Sequence, residues 1–188
     1  MDASMIAEIG HNSGQVDAPG KSWRTHVWRK ARKDLLPVLP LEVVRIRVRR
    51  AQALGLPYQT YAGLRAATGH DLIGFLFSSN ALQVLRDGQD MPVDRKEKLE
   101  KLVDTARIGM AHRPVTPTHL EALAGMDKAF AAPAFADSWA DMRDTVKEVF
   151  ATQKQTGDRF VMVGDTAFER EWAEAGRMAG YLRASAFF

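Results

Sequence analysis

Asp71 to Leu85, DLIGFLFSSNALQVL, is the stretch on which the reading of the chain turns. Leu72, Ile73, Phe75, Leu76, Phe77, Leu82, Val84 and Leu85 place apolar groups on nearly every side of a helix, the pattern of a helix buried in the middle of a core. Asp71 stands where it can cap such a helix and Gly88 where it can stop one. Inside it, the hydroxyls of Ser78 and Ser79 can bond to carbonyls of the preceding turn. Each fully buried Leu or Phe contributes on the order of 1.5 to 3 kcal/mol, so this segment dominates the expected core. Any part left exposed would be a surface for a protein partner or for a second copy of the chain.

Helical patterns flank it on both sides. Upstream, Ser22 caps a helix with Trp23, Val27, Ala31 and Leu35 on one face. Pro40 opens another, in which Val44, Val48, Ala51 and Leu54 recur at spacings of three and four. Gly55 ends that helix, Pro57 starts the next, and Gly69 closes it after Tyr61, Leu64, Arg65 and Thr68. Downstream, Asp94 with Glu97 reads as a capping box before a stripe of Leu99, Leu102, Val103, Ala106 and Met110. Thr116-Pro117 begins a helix with Leu120 and Leu123. Trp139, Met142, Val146, Val149 and Phe150 define a longer one, closed by Gly157. Thr166 with Glu169 caps a last helix bearing Phe168, Trp172, Ala175 and Ala179. Only RFVMV, residues 159–163, has the short β-branched character of a strand. The expected fold is mainly α: a compact multi-helix domain of about eight helices with at most one short strand near 159–163. Residues 1–20 read as a loosely attached segment. Residues 21–188 read as a single helical domain, basic in its first part (21–113) and acidic in its second (114–188).

The 188 residues carry 46% hydrophobic and 26% charged side chains, ordinary for a globular chain. There is no cysteine, which excludes disulfides and thiolate metal sites and fits a reducing cytoplasm. No run reaches the length of a membrane span, and no signal-peptide pattern opens the chain. The net charge of +3 is unevenly spread. Between Lys21 and Arg50, ten Lys or Arg less two carboxylates (Asp34, Glu42) leave +8; from Thr118 to Gly176, six bases less eleven acids leave −5. Such a basic segment is the footprint of phosphate contacts, or of pairing with the acidic end of the same chain.

Two helices meeting at Leu54-Gly55-Leu56, with Ala51 before the turn and Tyr61 and Leu64 after it, resemble the helix-turn-helix family. Leu56-Pro57-Tyr58-Gln59-Thr60 is similar to the helix-to-helix turn of ribbon-helix-helix antitoxins and repressors. The resemblance, spanning about residues 49–69, implies that the second helix enters a DNA major groove. Its outward Ala62, Gly63 and Ala66 carry no group for base edges, which favours backbone or shape recognition. The tract Ile6 to Gly14, IAEIGHNSG, is similar to the N-termini of phage and prophage proteins.

Catalytic grammar is thin. His112 and His119 lack the i, i+4 spacing of a helical metal pair, so no metal is expected, and no cofactor fingerprint occurs. His70-Asp71 reads as an exposed imidazole beside a cap, and Gly164-Asp165-Thr166 as a turn rather than an anion site. The leading expectation is a cytoplasmic, phage-associated DNA-binding regulator of transcription. In it Arg24, Arg29, Lys30, Arg32, Arg45 and Arg49 meet the backbone of double-stranded DNA, Tyr58, Gln59 and Thr60 face the groove, and Arg65 is a further DNA-binding residue. The alternatives are a protein-binding inhibitor or adaptor using the 72–85 region or the acidic late helices, with no membrane involved, and an enzyme whose site lacks a local motif.

Overall fold

Gly74–Ser78, in the middle of DLIGFLFSSNALQVL, is a strand, buried at every position. The structure is a computed structural model that describes residues 39–188. In chain order its elements are α1 (Leu41–Ala53), α2 (Tyr58–Thr68), β1 (Gly74–Ser78), α3 (Val93–Glu100), β2 (Ala106–Ala111), α4 (Pro117–Ala122), β3 (Lys128–Ala131), α5 (Trp139–Thr152), β4 (Phe160–Gly164), α6 (Ala167–Ala175), β5 (Gly180–Arg183) and α7 (Ala184–Phe187).

The five strands form one sheet of order β3-β2-β1-β4-β5, parallel throughout. The expectation of a mainly α, all-helical domain with at most one strand is therefore corrected: the fold is α/β. Physically, a parallel strand covered on both faces has no polar side, so it reads as an unbroken apolar run that a buried helix would also give. Alternation is still there, between two cores. Phe75 and Phe77 point into one, with Ala51, Leu54, Tyr61, Leu99, Leu120 and Phe187. Leu76 points into the other, with Ile108, Met110, Val146, Phe150 and Trp172. β4 splits likewise, Val161 and Val163 to the first core, Phe160 and Met162 to the second.

Three more strands lie where none is expected. Ala106 and Met110, placed on a helical stripe, lie in β2, and residues 180–183, to which the sequence reading assigns no element, form β5. β3 (KAFA) is too short and too small in its side chains to show any period. The strand expected at 159–163 is present as β4. Asp94 does not cap α3, whose N-cap position is Pro92, and Asp71 accepts instead from Leu72 N and the Tyr61 hydroxyl. The Thr166–Glu169 capping box, the Thr116 cap with Pro117, and Gly69 as a left-handed terminator are all present.

From β1 the chain steps outward through β2 to β3, then returns across the sheet through α5 to β4 beside β1, and continues to β5. The direction of travel reverses at the β1–β4 boundary. In open parallel sheets of this kind the crevice beyond the carboxyl ends of the strands at that boundary is where ligands bind. Register aligns those ends: Ser78 lies opposite Met110, and Phe77 opposite Val163.

Candidate functional site

Each of three buried strands ends abruptly in polar residues: β1 in Ser78-Ser79-Asn80, β2 in His112-Arg113, and β4 in Asp165-Thr166. Because the strands are parallel and in register, these ends converge at one edge of the sheet. They lie beside a cleft of about 1020 Å³ whose walls include Asn80, His112, Arg113, Thr166, Phe135 and Phe168.

Glu169, at the third position of α6, ties the ends together. Its side chain is completely buried. One carboxylate oxygen, Oε1, accepts from His112 Nε2 at 2.8 Å and from Asn80 Nδ2 at 3.0 Å. The other, Oε2, accepts from the backbone N–H of Asp165 at 2.6 Å and of Thr166 at 2.9 Å. Gly164 makes the approach possible, since a Cβ there would sit 2.8 Å from Oε2. Burial by itself raises this carboxyl's pKa, but the bonds from His112, Asp165, Thr166 and Ser78 outweigh it and hold the group at about 2. It is ionised at any ordinary pH.

That fixes the imidazole. An ionised carboxylate only accepts, so Nε2 of His112 carries the hydrogen and, in the neutral ring, Nδ1 is the bare acceptor. Nδ1 bonds to no other side chain or backbone group and is not sealed from solvent, among the described residues. The backbone of His112 is held by Ser79, whose Oγ accepts from His112 N at 3.2 Å, and its ring lies against Trp172, 4.9 Å away at 35°. A carboxylate orienting an imidazole that lines an open cleft is the geometry of a general base or acid. The neighbouring hydroxyls serve other bonds: Ser78 Oγ accepts from Ala81 N, and Thr166 Oγ1 caps α6. The arrangement therefore suits proton exchange with a bound molecule rather than attack by a side-chain nucleophile.

The rest of the cleft is apolar and small on one side, Ala131 to Ala134, and aromatic at the rim. Phe135 is 87% exposed there and meets Phe168 at 5.5 Å; Phe168 meets Trp172 edge-on at 5.6 Å. No group of three His, Asp or Glu placed to hold a metal ion occurs among the described residues.

The residues expected to meet DNA lie elsewhere. Arg24, Arg29, Lys30 and Arg32 fall outside the described residues, as does the Ile6 to Gly14 tract. Arg45 is exposed on α1 and pairs with Glu42 at 2.6 Å; Arg49 is exposed on the same helix. Tyr58 and Gln59 are exposed at the start of α2 and Thr60 is half-buried. Arg65 is turned inward, donating to Asp71 at 3.0 Å and to the Tyr61 hydroxyl at 3.2 Å. None of them lines the cleft. Of the 72–85 segment, only Gln83 and Leu85 are exposed. No described helix is long and apolar enough to cross a membrane.

Sequence reasoning considered His112 only as a metal ligand and Glu169 only as a cap. The available signal was the thrice-repeated phrase of a short apolar run breaking into polar residues: FLF-SSN, GMA-HR, VMVG-DT. Comparison with protein-family models, with curated proteins and with solved structures finds no match to the chain.

Proposed function

We propose that this α/β domain binds a small molecule in the cleft beyond the carboxyl ends of β1 to β4 and exchanges a proton with it through His112. The observation that carries the reading is the His112–Glu169 pair: a dry, ionised carboxylate 2.8 Å from one ring nitrogen, with the other nitrogen open. Burying an anion costs several kcal/mol unless every lone pair is matched, and here the matching donors include two side chains that make no other hydrogen bond among the described residues. A carboxylate needed only to cap α6 would require neither His112 nor Asn80. Their convergence supports a role for the ring.

The test is amide chemical-shift mapping with a panel of small organic acids, alcohols and amines. Shifts should concentrate at residues 111–117, 131–135 and 166–168, and His112→Asn should weaken the best binder at least tenfold, as expected when a polar group of a bound ligand loses its partner. Shifts confined to α1 and α2, or binding indifferent to His112→Asn, would contradict the reading.

A second reading keeps duplex DNA as the partner, contacted through its phosphates. It is favoured by Arg45 and Arg49, one turn apart on α1 and both exposed. Replacing both by Gln should lower the salt slope of DNA retention by about two; an unchanged slope removes α1 from any such interface.

A further inference from the structure

Resting on the ligand-binding reading of the cleft, we propose that its occupant is an aromatic monocarboxylate, the ring lying on Phe135 and the carboxylate meeting Arg113 beside His112.

Phe135 carries the ring half of the argument. A phenylalanine 87% exposed is uncommon for so large an apolar side chain, and this one stands at the rim of the cleft rather than on an open face. Among the described residues its one aromatic neighbour is Phe168, tilted at 60°, which leaves a ring face for another flat group. The cleft lining that leads up to it is Ala131, Ala132, Pro133 and Ala134, a run with no long side chain. Phe168 leads inward to Trp172, and Trp172 underlies His112. A ring seated on Phe135 thus joins an aromatic series that runs to the proton-exchanging group.

Charge supplies the other half. Arg113 is exposed, lines the cleft, and forms no ion pair among the described residues. Its planar guanidinium matches a carboxylate. Asp137 also lines the cleft, one oxygen accepting from Ala134 N at 2.7 Å, and its charge opposes a second negative charge on the ligand. Among the described residues of the cleft, one cation without an ion-pair partner together with one carboxylate favours a singly charged ligand over a dianion such as a phosphate monoester.

Four probes test this on the full chain by amide shift mapping: phenylacetate, cyclohexylacetate, acetate and phenyl phosphate. Phenylacetate is expected to bind three- to tenfold tighter than cyclohexylacetate, in line with the strength of aromatic pairs beyond area burial. Phe135→Ala should erase that preference and leave acetate unchanged, while Arg113→Gln should weaken all three carboxylates. Equal binding of the two ring acids, or phenyl phosphate binding tighter than phenylacetate, overturns the proposal. If these probes leave the cleft unshifted while the wider panel shifts it, the aromatic-acid assignment falls and the cleft reading stands. If neither set shifts it, both fall.

Discussion

Two carboxylates each tie together elements distant in sequence, and they do so under opposite conditions. Asp71 joins α1 and α2 to the entry of β1: it accepts from the Tyr61 hydroxyl at 2.7 Å, pairs with Arg65 at 3.0 Å, and lies 3.8 Å from Arg50. Its side chain is 46% exposed, so water can replace any partner that is lost. Glu169 joins β1, β2 and α6 with no exposure at all. Nothing replaces its partners. The contrast teaches that the same residue chemistry acts as an adaptable clasp at one end of the sheet and as a fixed orienting group at the other.

The largest expected effect follows from that dryness. Glu169→Ala strands His112 Nε2, Asn80 Nδ2 and two backbone N–H groups, and should destabilise the domain by about 3–5 kcal/mol in urea unfolding. A loss no greater than that of an exposed pair would remove the distinction between the two ends. Next comes acid. Because folding lowers the Glu169 carboxyl from 4.5 to about 2, its stabilisation is complete above the ordinary value and is lost as pH falls toward 2. The amount is about 3 kcal/mol. Unfolding free energies measured down the pH scale should show this decline in the native chain and not in Glu169→Gln.

Smaller by design is Asp71→Ala. Its pairs are partly solvated, so about 1 kcal/mol is expected by the same urea measurement. A cost matching Glu169→Ala would mean that Asp71, too, works as a buried group. Smallest is Phe135→Ala: a side chain so exposed should change stability by less than about 0.5 kcal/mol, leaving any change in ligand affinity to be read as a binding effect.

How much of this was legible beforehand varied with how local each signal is. Caps and terminators were readable: Thr166 with Glu169, Thr116 with Pro117, and Gly69 depend on a few neighbouring residues. So was β4, whose RFVMV run is β-branched and bounded by Asp158 and Gly164. β1 was not, because Phe75, Leu76 and Phe77 face two different cores and so erase the polar alternation that marks a half-exposed strand. The site was hidden for another reason. Asn80, His112 and Glu169 lie 32 and 57 residues apart along the chain, and only the parallel register of β1, β2 and β4 brings them within a hydrogen bond of one another. Once one strand is read as a helix, that register cannot be imagined. The basic stretch Arg45 to Arg50 was legible as charge, but charge alone did not say that Arg50 would turn inward to the Leu72 carbonyl at 2.7 Å.

Which nitrogen of His112 carries the hydrogen is read directly by long-range proton–nitrogen correlation of that imidazole. In the neutral ring the expected result is a protonated Nε2 and a bare Nδ1, with the preference lost or reversed in Glu169→Gln. A protonated Nδ1 in the native chain, or no response to Glu169→Gln, would contradict the claim that the buried carboxylate sets the ring for proton exchange.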